Sequence, residues 1–132
     1  MYEDKNLLQN ITIPFFGTCL ANSELVLVSK RLNFRYITKK IIAFFALNTN
    51  HTLQIIPYLS YDPTAPVTGL PSGSALFSPY GQVGYLSGDD EHEEHQHELI
   101  VNQIGSYLKI YANNTDSFDH TVDAQIQIQV YD

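Results

Sequence analysis

Three histidines within six positions, His92-x-x-His95-x-His97, stand among Glu91, Glu93, Glu94 and Glu98 and form the densest group of metal-ligating side chains in the sequence. Imidazole and carboxylate are ligand types for zinc or nickel, and on a strand the alternation of side chains puts His95 and His97 on one face. A closed metal site also needs partners that orient its ligands, which a run of solvated acids at a loop tip does not supply. The expectation is an acidic, His-rich hairpin tip from Gly88 to His97, with no metal and no cofactor. Such a tip could respond to pH, because histidine is the side chain that changes charge near neutrality.

Catalytic groupings are absent from the pattern. There is no G-x-S-x-G elbow, Gly-rich phosphate loop, H-E-x-x-H or paired-Cys motif, and Cys19 follows Gly17-Thr18 with nothing nearby to activate a thiol. Cys19 reads as a small buried hydrophobe. His51 and His120 lie in or beside Asn- and Thr-rich loops, where a hydrogen-bonded turn role fits better than a base. The chain is therefore expected not to be an enzyme.

A different kind of chemistry, contact area, gathers between Ser60 and Gly84. This stretch holds four of the six prolines and four of the seven glycines, a length that compact domains seldom leave structureless without a use. Tyr61, Leu70, Phe77, Tyr80 and Tyr85 lie in or next to it, and they are the candidate interface residues. The arm is expected to be ordered only by contact, over its own sandwich or against a neighbouring subunit.

The elements that must position these groups are strands. Ile11 to Phe16 is an apolar run ended by Gly17, and Glu24 to Ser29 alternates. Leu32, Phe34 and Tyr36 form a third segment, and Ile41 to Leu47 a fourth whose two apolar faces suit a central strand, with Lys39-Lys40 as the turn between them. Thr52 to Leu59 follows, where Pro57 demands an edge or a bend. Val83 to Leu86 reads as a short strand and Leu99 to Ile104 as a longer one. Leu108, Ile110 and Ala112 then alternate with Tyr107, Lys109 and Tyr111, and Val122, Ala124, Ile126, Ile128 and Val130 alternate with Asp123, Gln125, Gln127 and Gln129. Asn113 to Asp116 supplies the turn between them.

Eight or nine strands without a helix must close on themselves or stack as two sheets. The expected fold is an all-β, antiparallel, jelly-roll-like β-sandwich, a single domain over residues 1–132 with 60–84 as an extended arm or crossover. Composition agrees: 132 residues at 44% hydrophobic suffice for one core, and 16% charged is below the roughly 25% usual in soluble domains.

A net charge of -7 repels phosphate backbones and anionic lipid, so neither nucleic acid nor membrane is an expected partner. The longest apolar stretch, Ile41 to Leu47, is far short of the ~20 residues that span a bilayer. One cysteine cannot form an internal disulfide, and the start Met-Tyr-Glu-Asp-Lys lacks a signal-peptide pattern, so synthesis in a cytoplasm is expected and the sequons at Asn10, Asn50 and Asn113 carry no meaning. Five of the seven basic residues lie between Lys30 and Lys40 and six of the fourteen acidic ones between Asp89 and Glu98, which suggests two opposite patches suited to head-to-tail contact.

The segments Gly105 to Asp116 and His120 to Ile128, with Ile41 to Leu59 and the Pro/Gly-rich middle, resemble the small jelly-roll decoration (cement) and related structural proteins of tailed bacteriophages. The resemblance implies a homotrimer or another ring, seated on a capsid lattice, in a virion assembled in the host cytoplasm; it assigns no residue roles. The leading functional expectation is thus a non-enzymatic structural protein that assembles symmetrically on a larger protein surface. A carbohydrate- or receptor-binding module is the alternative, disfavoured by the lack of Trp for sugar stacking, and a small metal-dependent enzyme is the third.

Overall fold

The structure is a computed structural model that describes residues 9–77 and 84–130, the side chain of His97 excepted. Its strands are β1 (Gln9–Cys19), β2 (Glu24–Val28), β3 (Tyr36–Phe45), β4 (Leu53–Ser60), β5 (Ser74–Ala75), β6 (Glu91–Val101), β7 (Tyr107–Asn114) and β8 (His120–Val130). They pair in nested order, β1 with β8, β2 with β7, β3 with β6 and β4 with β5, every pair antiparallel. Two further pairings, β3 with β8 and β4 with β7, join them into two four-stranded sheets, β1-β8-β3-β6 and β2-β7-β4-β5. A ribbon whose first strand pairs with its last, wrapped so that alternate pairs fall in opposite sheets, is a jelly roll.

The alternation in β7 and β8 builds the core. Val122, Ala124, Ile126 and Ile128 of one sheet face Leu108, Ile110 and Ala112 of the other, all essentially without solvent exposure. Each large aliphatic side chain so buried contributes about 1.5–3 kcal/mol. Tyr36 joins them because its hydroxyl meets Ser106 Oγ at 2.6 Å, and burial pushes that phenol up to about 12.

Several sequence expectations are corrected. Lys39-Lys40 is a bulge inside one continuous strand: Thr38 pairs with Ile128 but Lys40 with Gln127, so β3 carries one residue more than β8. The bulge moves the inward set from Tyr36 and Thr38 to Ile41, Ala43 and Phe45, which divides the pattern in two when it is read at a single period. β3 lies between β8 and β6, central as its apolar faces require. Gly17 does not end β1, which continues to Cys19. The segment from Leu99 stops being strand at Val101; of the stretch Val83 to Leu86, Val83 lies outside the described residues and Leu86 makes an isolated bridge to Ile55.

The largest correction concerns the His-rich segment. It is the body of β6, not a tip. An inner row runs across the sheet through Ile13, Ile126, Ile41 and His95, and an outer row through Phe16, Asp123, Phe44 and His92. β6 is an edge strand, and β5, at the edge of the other sheet, is only two residues long. The inner face of β6 buries Val101 and sets His95 on Phe77 but is polar at Glu91 and Glu93, and charges on a long edge strand also discourage pairing with other chains.

Candidate interaction surface

Residues 61–73 cross the outer face of the β2-β7-β4-β5 sheet, and their anchor is Lys109. This residue alternates outward on β7 as the sequence suggests, yet its side chain is wholly buried because the arm covers it. Its Nζ donates to the Thr64 carbonyl at 2.7 Å and Ser72 Oγ at 3.2 Å, and lies 3.4 Å from Asp62 Oδ1. Asp62 in turn accepts from the Thr64 amide at 2.9 Å and from the hydroxyls of Thr64 and Ser72. Those hydrogen bonds, from Ser72 first and Thr64 next, hold its carboxyl well below the usual range, with Lys109 adding a smaller effect.

A second anchor is Glu24. It accepts from the Gly69 amide at 2.6 Å and from the Tyr111 hydroxyl, and these two bonds depress its pKa. Burial, then Glu24, pushes the Tyr111 phenol up. Val26, Tyr58 and Tyr111 form a small apolar cluster on this outer face. Gly73 ends the crossing at φ 110°, where a Cβ would sit 2.1 Å from the Leu59 carbonyl oxygen, so only glycine lets the chain turn into β5.

Between the anchors the arm carries apolar side chains outward: Val67 is 85% and Leu70 62% exposed. Val67 and Thr68 share a cleft of about 430 Å³ with Thr18, Leu20 and Leu25 from the turn joining β1 to β2. Leu20 is itself exposed, so Val67 and Leu20 bring apolar surface to one cleft, among the polar side chains of Asn22, Glu24 and Asn113. Fixing such a loop costs on the order of 1–2 kcal/mol per residue, and the polar anchors offset that cost without burying Val67 or Leu70.

The candidate interface residues separate. Tyr61 and Leu70 are exposed on the arm, and Tyr85 is exposed beside Leu86, which bridges Ile55 on the edge of β4 that also pairs with β5. Phe77 takes the first of its two expected placements: it is buried in its own sandwich with its ring edge-on to His95 at 4.8 Å. Tyr80 lies outside the described residues. Sequence reading missed Val67, Leu20, Glu24 and Lys109; the available signal was apolar side chains between Pro66 and Pro71, where a solvated loop would carry polar ones.

His92 and His95 face opposite sides of β6, His92 against Phe44 at 5.8 Å and His95 against Phe77. Among the described residues no three His, Cys, Asp or Glu side chains are grouped to hold a metal ion. The basic and acidic runs touch at one place. Lys39 and Lys40 of β3 lie beside β6, where Lys39 meets Glu98 at 2.8 Å and Lys40 meets Glu94 at 3.5 Å. Exposed pairs of this kind contribute about 0–1 kcal/mol each, and at these two lysines the runs face each other within one chain.

No family model matches the chain, and no curated protein matches it. Among solved structures it is similar to a protein of infectious bursal disease virus strain Gt, at 14% identity and a TM-score of 0.46 over 94% of this chain. The VP2 subviral particle of that virus gives 13% identity and a TM-score of 0.43, again over 94% of this chain. The chain spans only about a third of both viral chains, 32% in each case. A mitogen derived from Yersinia pseudotuberculosis is matched at 11% identity and a TM-score of 0.43, over 88% of this chain and 84% of the mitogen.

Proposed function

We propose that the chain is a non-enzymatic structural protein that self-associates symmetrically, as a trimer, and seats on a larger protein lattice as a decoration or stabilising protein of a virion assembled in the host cytoplasm. The observation that carries the reading is the arm, anchored by Lys109 and Glu24 and presenting Leu70, and Val67 beside Leu20, to solvent. A preordered apolar projection loses little further entropy on docking, which favours association. The second copy covers the Val67, Leu70 and Leu20 area. The trimer and the virion rest on the sequence resemblance to phage decoration proteins.

The test is solution mass. Val67→Asp with Leu70→Asp removes the apolar contact without touching the anchors, and the reading expects monomers. Deleting Thr64 to Ser78 is a poorer test, because it also removes Leu76 and Phe77 from the core.

A further inference from the structure

Four connections meet at one end of the jelly roll, 20–23, 46–52, 84–90 and 115–119, and this end is built unlike the rest. All five non-glycine residues at positive φ among the described residues lie here: Asn22 (52°), Asn48 (75°), Asn50 (50°), His51 (60°) and Asp90 (53°). Such conformations persist where surrounding bonds over-determine them, and they gather at functional sites. The bonds are present. Buried Asn114 donates Nδ2 to the carbonyls of Cys19 (3.1 Å), Leu20 (3.2 Å) and Phe118 (2.8 Å), and its Oδ1 accepts from the Asp116 amide at 2.9 Å. The Asn22 amide donates to the Asp116 carbonyl at 2.8 Å, Thr115 N–H to the Thr52 carbonyl at 2.9 Å, and His51 N–H to the Gly88 carbonyl at 3.0 Å.

These ties hold open a cleft of about 450 Å³ lined by Asn48, Asn50, Asp116, Phe118 and His120. That volume lies within the range of small-molecule sites. His120 Nε2 meets Asp116 Oδ2 at 2.9 Å, which fixes the imidazole and keeps the carboxylate ionised. Phe118, whose neighbours leave it 70% exposed, offers a bare ring face at the rim. No Lys or Arg lines the cleft, so an anionic ligand has no countercharge and would meet Asp116. One apolar ring is too little for a lipophilic ligand.

Two amides that donate and accept, a carboxylate that accepts, and one aromatic face match vicinal hydroxyls and the C–H face of a pyranose ring. We propose that this loop end is a binding site for a neutral saccharide of one or two hexose units. The sugar could be free or terminate a surface glycan, and the chemistry of recognition is the same. This cleft shares no lining residue with the Val67 cleft, so the proposal does not depend on the assembly reading.

The experiment is an amide chemical-shift titration of the full chain with neutral hexoses, N-acetylhexosamines and their disaccharides, and with uronic and sialic acids as the anionic comparison, up to about 50 mM, well above a roughly 1 mM Kd. Shifts confined to 46–52 and 114–120 are expected for at least one sugar. Phe118→Ala, at an exposed position, and Asn48→Gly, which keeps the positive φ, should each weaken binding about tenfold with the other amides unmoved. Retention on an immobilised glycan ending in that sugar assigns a glycan source, and binding of the free sugar alone assigns a free one; both support the site. Absence of shifts in these loops with every sugar, wild-type binding by both variants, or preference for uronic or sialic acids overturns it.

Discussion

The Nζ of Lys109 lies 3.4 Å from Oδ1 of Asp62, with the lysine side chain entirely buried and the aspartate 45% exposed. One end of the contact is inside the protein and the other is at its surface, so the arm is the lid over a buried cation. The ammonium is satisfied by Thr64 and Ser72 as well, which is the condition under which a buried charge is tolerated.

Replacing Lys109 with Met should therefore free the arm while leaving the sandwich intact. The Thr64 carbonyl and Ser72 hydroxyl lose a donor, at a cost of about 1–3 kcal/mol. Hydrogen exchange should show faster amides at 64–73 and unchanged protection in β8. Equal acceleration in both would mean that the arm and the core open together.

Ile126→Asp should unfold the chain, since that side chain has no exposure and an unpaired charge there costs more than about 4 kcal/mol. Gln125→Glu and Gln127→Glu, half-exposed on the other face of β8, should lower stability by less than about 1 kcal/mol. Thermal melts followed by circular dichroism check the contrast.

Stability should fall on both sides of neutrality. Asp62, Asp116, Glu24 and Glu98 are all depressed in the folded state, by hydrogen bonds from Ser72, His120, Gly69 and Lys39 respectively as the leading causes. Their stabilisation is present above the ordinary values of 3.8 for Asp and 4.5 for Glu and is lost as pH falls through the lower folded values. Tyr36 is raised by burial from 10.0 to about 12, so its contribution is present below 10 and lost as pH rises toward 12. Urea midpoints at pH 3, 7 and 11 should be highest at pH 7; a flat profile contradicts these environments.

Chelator should leave the melting temperature unchanged, because His92 and His95 face opposite sides of β6 and cannot close one ligand shell. A fall of several degrees with EDTA would place a structural metal in the chain.

The parts of the fold legible in sequence are those where one face is core and the other solvent. Leu108, Ile110, Ile126 and Ile128 alternate because both sheets bury them. The part of β6 from Glu91 to Glu98 escaped because both its faces are polar there, with His95 rather than an aliphatic side chain set against Phe77. Lys39 hid the continuity of β3 by shifting its parity. Lys109 reads as solvated until the arm lies over it, and that placement is a long-range contact that no local period encodes. The loop-end cleft was missed for the same reason, since Asn48 and His120 meet only when the nested pairs wrap.

The central claim, that the anchored arm assembles copies of this chain, is tested most directly by light scattering coupled to size-exclusion chromatography. Wild type is predicted to elute at three chain masses, and Val67→Asp with Leu70→Asp at one, with unchanged circular dichroism. A monomeric wild type, or a double variant that keeps the wild-type mass, contradicts the account.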